Sequence, residues 1–236
     1  MKPINIFKIS FVLVLFLSLT YRAAAQDSRN VPVKHFNGLS VGSGIDLYLS
    51  QGQNESLTIK GQKDVIDDVI VEQKGTDINI RYKSRINWSM LKGATIRVYV
   101  NYKTLERLAA SGGSDVYTQN PMRANALDIS ASGGADLKLT LNCKNLNMSV
   151  SGGADVELKG SGENLSLSAS GGADVDAYGY VVNYAKVAAS GGADIHISVS
   201  KGLDAAASGG ADIRYKGNAV LKRDNSSKSG DITHVK

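Results

Sequence analysis

Six aspartates stand at a near-constant spacing. Asp115, Asp136, Asp155, Asp174, Asp194 and Asp212 are separated by steps of 21, 19, 19, 20 and 18 residues. A carboxylate repeated in this way admits three kinds of chemistry. It can accept hydrogen bonds from backbone amides in a turn. It can ligate Ca²⁺, a hard cation that takes oxygen ligands. Two of the six could form an acid pair for glycoside cleavage or a lyase site. An acid pair needs carboxyl groups in different environments, one protonated and one ionised. Here the settings are equivalent. Ser-Gly-Gly-Ala-Asp occurs at 132–136, 151–155, 170–174, 190–194 and 208–212, with Ser-Gly-Gly-Ser-Asp at 111–115. Calcium is disfavoured because the motif is not the Gly-Gly-x-Gly-x-Asp nonapeptide and offers one Asp per repeat. The first assignment of the ladder is therefore to turn structure, with calcium second and catalysis third.

The remaining reactive side chains are scattered. His35, His196 and His234 have no partner at metal-ligand spacing. Cys143 is the single cysteine, so no intrachain disulfide can form, and a structural thiol is expected. No nucleophile elbow, phosphate loop or metalloprotease motif occurs. The serines of Ser-Gly-Gly recur identically, which suits a stacked hydroxyl ladder better than a unique nucleophile.

The elements that must position the aspartates follow from aligning the repeats. One residue after Asp come Val116, Leu137, Val156, Val175, Ile195 and Ile213. Two after it come Tyr117, Lys138, Glu157, Asp176, His196 and Arg214. The first column reads as inward and the second as outward. Upstream, Leu108, Ile129, Met148, Leu167, Val187 and Ala205 alternate with small or polar residues. Ala110, Ala131, Val150, Ala169, Ala189 and Ala207 continue that alternation toward the turn. Period two on both sides of Gly-Gly predicts strand, corner, strand. The alanine before Asp fits a tight inner corner. A fixed period near twenty residues predicts a solenoid whose coils cannot bury their apolar faces alone. With Asp231 as a seventh mark, the stack would be a rod on the order of 30 Å long at about 4.8 Å per coil.

The flanks are less regular. Residues 1–25 read as a secretory signal peptide: Lys2 and Lys8, an apolar run from Ile9 to Leu19, then Ala23-Ala24-Ala25 before Gln26. No cysteine follows the run, so a lipid anchor is not expected, and no membrane span remains after cleavage. Three of the 27 basic residues (Lys2, Lys8, Arg22) and none of the 22 acidic ones lie there, so a formal charge of +5 becomes +2. A nucleic-acid partner loses its support. Residues 26–34 read as a flexible leader, 35–215 as the β-helix and 216–236 as a C-terminal cap. Val65–Val71 reads as a kinked strand or one helical turn, Ala94–Val100 as a strand, and 84–93 as a loop. In that loop Asn87, Trp88 and Ser89 suggest either a carbohydrate-facing spot or a packed Trp.

Gly44-Ile45-Asp46, followed by Leu47-Tyr48-Leu49-Ser50-Gln51-Gly52, resembles the opening motif of the auto-transporter adhesin head GIN domain family. Its third residue is Asp46 where the family's name implies Asn. The Ser-Gly-Gly-Ala-Asp ladder is similar to the glycine-rich turns of that family, and the resemblance covers roughly residues 35–215. It implies a right-handed parallel β-helix, similar in shape to pectin-lyase-like proteins but without their catalytic residues. The expectation is thus an all-β solenoid of about 19–20 residues per coil and an exported, non-enzymatic protein. Its residence would be the periplasm, the cell surface or the medium. Its partners would be a cell-surface glycan or protein, with end coils that could pair between chains. The competing readings are a polysaccharide lyase or hydrolase on the same fold and a calcium-stabilised rod.

Overall fold

A computed structural model describes residues 27–83, 95–224, 227 and 229–236. Residues 1–25, which the sequence reads as a signal peptide, and the Asn87, Trp88 and Ser89 spot lie outside the described residues. Among these residues the regular elements are β-strands apart from one short helix. Parallel strands stack into a solenoid of about six turns.

The regular stack runs from β8 (Arg107–Ser111) and β9 (Asp115–Thr118) through β10 (Met122–Ser132), β11 (Asp136–Gly152), β12 (Asp155–Gly171), β13 (Asp174–Gly191) and β14 (Asp194–Ala207) to β15 (Asp212–Lys216). Neighbours pair in parallel, and the register sets like residues opposite like: Asp136 on Asp155, Asp155 on Asp174, Asp174 on Asp194, Asp194 on Asp212. The alternating columns point as the sequence predicts. Val156, Leu158, Leu165, Leu167 and Ala169 are buried in one coil, and Val175, Ala177, Val187 and Ala189 in the next. The corner alanines Ala135, Ala154, Ala173, Ala193 and Ala211 are fully enclosed. In the variant repeat Ser114 takes that place, and its buried hydroxyl has no hydrogen-bond partner among the described residues. Such an orphan costs on the order of 1–3 kcal/mol.

A second corner interrupts the alternation on the far side of each coil. There two consecutive residues face out: Lys144 and Asn145, Glu163 and Asn164, Asn183 and Tyr184. The unequal steps also have a physical form. β13 carries a bulge where Glu157 and Lys159 of β12 face Asp176 and Gly179. The extra residue turns Tyr178 toward the surface.

The N-terminal end departs from chain order. β2 (Gly38–Val41) and β3 (Asp46–Gln51) form a coil that pairs in parallel with β8 and β9. On its other side lie β6 (Asp77–Tyr82) and β7 (Arg97–Tyr102), also parallel. A coil later in the chain therefore sits outside an earlier one. That outer coil is closed by antiparallel strands: β4 (Ser56–Gly61) on β7, β5 (Val69–Lys74) on β6, and β1 (Asp27–Val31) on β4. Antiparallel cover stops the parallel ladder from templating another chain. Residues 27–31, which the sequence predicts as a flexible leader, are thus part of the cover. Their polar sequence hides a strand that pairs through its backbone and through Asn30, whose Oδ1 accepts from Thr58 Oγ1 at 2.8 Å. The ambiguous 65–71 segment is both things expected of it: helix α1 (Lys63–Ile66), then β5. The predicted strand at 94–100 begins later, at Arg97.

At the other end, residues that read as a cap continue the ladder. β16 (Val220–Asp224) pairs in parallel with β14, and β17 (Asp231–His234) with β15. Asp231 faces Asp212.

Candidate functional site

The backbone decides where the aspartates point. From Asp136 onward, each Asp amide of the ladder donates to the carbonyl of the corner residue one coil back: Asp155 to Ala135 at 3.0 Å, Asp174 to Ala154 at 3.1 Å, Asp194 to Ala173 at 3.1 Å. The second glycine of three successive corners does the same. Gly153 donates to Gly133 at 2.7 Å, Gly172 to Gly152 at 2.8 Å and Gly192 to Gly171 at 2.7 Å. This corrects one expectation. These amides bond coil to coil, and three of the carboxylates accept instead from side chains two residues on. Asp115 Oδ2 accepts from Tyr117 Oη at 3.1 Å, Asp212 Oδ2 from Arg214 Nη2 at 2.9 Å, and Asp231 Oδ2 from Thr233 Oγ1 at 2.9 Å.

The ladder is longer than its motif. Arg97 pairs with Asp46, and Leu47 with Val116, which sets Asp46 next to Asp115. Burial raises the Asp46 carboxyl above the usual carboxylate range; Asp115 raises it further and Arg97 opposes the rise. Burial also raises Asp136, with Asp115 and Asp155 adding to the rise and Lys138 opposing it. Among the described residues, no three His, Cys, Asp or Glu side chains are placed to hold a metal ion together.

The raised Asp136 has a testable consequence. A carboxyl with a folded pKa above its unfolded one binds more protons in the native state. Its contribution to stability therefore falls as pH rises through those two values. Asp136→Asn is expected to melt above wild type near pH 7, with the gain vanishing below the unfolded Asp value of about 3.9. Melting curves across that range check it, and a gain independent of pH would refute the electrostatic cause.

Beside the aspartates runs the outward column. Its pairings are Tyr99 to Tyr48, Tyr48 to Tyr117, Tyr117 to Lys138, then Glu157, Asp176, His196, Arg214 and Thr233. Three tyrosines open it as a stack, with Tyr48 centred 5.0 Å from Tyr99 and 5.2 Å from Tyr117. Lys60 Nζ stands 4.8 Å above the Tyr99 ring. Burial and the neighbouring Asp115 push the Tyr117 hydroxyl up to about 12. In the middle, Glu157 binds Lys159 at 2.6 Å, and that partner holds its carboxyl below the usual range. Asp136, Asp155, Asp174, Asp176, Glu157 and Lys138 border one shallow hollow.

Toward the C-terminus the column turns cationic and aromatic. His196, outward as its column predicts, is stacked on Tyr178, centroids 5.0 Å apart, with Arg214 Nη1 3.3 Å from its Nε2. Lys216 Nζ lies 4.3 Å over the same tyrosine. His234 stacks on Tyr215 at 4.8 Å, and His35 meets Glu55 at 2.8 Å on the exposed surface, so the three histidines do not converge. Cys143 is buried, burial pushes its thiol up, and its Sγ donates to Asn145 O at 3.2 Å. Tyr48 is within reach of the sequence, two residues after Asp46. Tyr99 has no motif, and Tyr178 faces outward only because of the bulge.

Comparison with known proteins agrees with this architecture. A crystal structure of a "putative adhesin" from Bacteroides fragilis superposes with a TM-score of 0.80 at 23% identity, covering 90% of this chain and 98% of that one. A "putative adhesin" from Parabacteroides merdae follows at 0.71 and 19%, covering 91% and 98%. A "putative lipid binding protein" from Parabacteroides distasonis gives 0.70 and 18%, with the same coverage. At such identities the likeness is one of fold. No curated protein sequence matches the chain significantly. Residues 35–219 match the family described as "Putative auto-transporter adhesin, head GIN domain", and the chain belongs to that family.

Proposed function

We propose that this is a non-enzymatic, exported binding module of the cell envelope. It presents the outward column beside the Asp ladder to a glycan or protein on a cell surface. One observation carries the reading. The inward columns and the corners repeat almost unchanged, while the outward column changes character from coil to coil: Tyr, Tyr, Tyr, Lys, Glu, Asp, His, Arg. Packing dictates the repeated positions. It does not dictate side chains that point away from the core, and a varied row of aromatic and charged groups on a regular frame is suited to recognition. The signal-like segment and the family's adhesin description support export.

Residues 26–236 would be screened against arrayed glycans and purified envelope proteins. Tyr48→Ser with Tyr117→Ser, and separately Lys138→Glu, are expected to weaken the bound ligand at least about tenfold, as loss of an anchor does. Binding unchanged by both would sink the assignment of this face.

A second reading has one observation in its favour. Lys138 stands beside Asp136, Asp155 and Glu157, the pairing of base and acids that a polysaccharide lyase needs. Turnover of acidic or neutral polysaccharides, lost in Asp155→Ala or Asp174→Ala, would establish it.

A further inference from the structure

Half a coil beyond the Asp ladder, a second outward column follows the far corner. Its members pair in register: Asn145, Asn164, Tyr184, Gly202, Val220. Tyr184 is 42% exposed and Val220 66%, two of the three most exposed large apolar residues among those described. Gly202 makes room for what lies over it. A Cβ there would meet Tyr184 Cδ1 at 3.2 Å and Lys222 Cε at 3.1 Å. Two ammonium groups approach the ring, Lys222 Nζ at 5.5 Å and Lys201 Nζ at 5.9 Å from its centroid. Both come from coils on the C-terminal side. A register shift between Leu203 and Asp204 accompanies the outward turn of Lys222, the re-aiming that a bulge provides. On the N-terminal side lie amides: Asn164 Nδ2 donates to Asn145 Oδ1 at 2.8 Å.

We infer that this strip is a binding site for an acidic polysaccharide, lying on a different side of the coil from the face proposed above. The chemistry matches group by group. A tyrosine ring accepts the apolar face of a sugar. Carboxamides offer a donor and an acceptor to its hydroxyls. Lysines held near the ring answer a carboxylate or sulfate on a neighbouring sugar. Lys186, two residues after Tyr184, adds a further cation, and Asp204 in the next coil is the acid that faces it. Groups delivered one coil at a time along the stack suit a polymer that repeats along its own length. Nucleic acid fits less well, because residues 26–236 carry 22 acidic groups and a formal charge of only +2.

The probes are polygalacturonate for carboxylate and dextran sulfate for sulfate, with dextran as the neutral control and phosphatidylglycerol vesicles as the lipid arm. Calorimetry with residues 26–236 is expected to show binding to one or both acidic polymers and none to dextran. Tyr184→Ala should weaken it at least about tenfold. Lys201→Gln with Lys222→Gln should weaken it similarly and flatten its salt dependence. Tyr48→Ser with Tyr117→Ser should leave it unchanged, which separates this site from the other face. No binding to either acidic polymer, binding that survives Tyr184→Ala, equal binding to dextran, or preference for the vesicles would each overturn the inference.

Discussion

Gly171→Ala is expected to destabilise the protein by about 2–5 kcal/mol, while Gly172→Ala, one residue on, costs less than about 1 kcal/mol. The two glycines look alike in Ser-Gly-Gly-Ala-Asp but do different jobs. Gly171 has φ +79°, where an alanine is penalised by roughly 1–2 kcal/mol. Its added Cβ would also stand 2.8 Å from Gly152 O and 3.2 Å from Gly152 N in the coil below. That backbone cannot easily yield, because Gly152 O already accepts the Gly172 amide at 2.8 Å. Overpacking against a fixed neighbour typically adds about 1–3 kcal/mol. Gly172 has open space: an alanine Cβ there would stand 3.9 Å from its nearest obstacle, Gly152 O. Urea unfolding of the two variants decides the matter. Equal losses would mean that the corner is not held by close approach of successive coils.

The same corner shows how far the sequence can be read. The spacing of the aspartates specifies the stack and the register of its central coils, because a corner built on glycine and a small enclosed residue fixes where each turn begins. The columns flanking Asp155 and Asp174 then follow from the pleat. Hydrogen-bond partners do not follow. Turn chemistry predicts the carboxylates on the turn amides, yet Gly172 and Asp174 need those amides for the coils beneath. Spatial order at the N-terminus is also hidden. Nothing local in Asp77–Tyr82 or Arg97–Tyr102 says that they lie outside Gly38–Gln51, since a parallel strand does not name its partner. The Asn145, Asn164, Tyr184 column escapes the sequence for a related reason. It is counted from the far corner, whose residues vary, whereas the repeats align on Asp. A motif reveals the chemistry nearest to it; side chains half a coil away need the register.

The interior just before the far corner makes the second large prediction. At its inward positions Leu141 pairs with Gly160 and Gly160 with Tyr180, while Cys143 pairs with Gly162 and Gly162 with Val182. One coil thus brings two glycines where its neighbours bring side chains. Tyr180 fills the space they leave. It is 1% exposed, and its hydroxyl donates to Cys143 O at 3.2 Å, two coils away. Burial pushes that hydroxyl well above the ordinary tyrosine range. Tyr180→Ala is expected to cost about 3–5 kcal/mol, the loss seen when a buried aromatic leaves a cavity its surroundings cannot close. Closure is difficult here because coil spacing is set by backbone hydrogen bonds on every side. Tyr180→Phe keeps the ring and removes only the hydroxyl, so a loss near ~1 kcal/mol is expected. Denaturant unfolding of both variants tests the pair. A Tyr180→Ala loss no larger than that of Tyr180→Phe would show that the glycine coil collapses inward, and that one layer of the solenoid can thin without the others noticing.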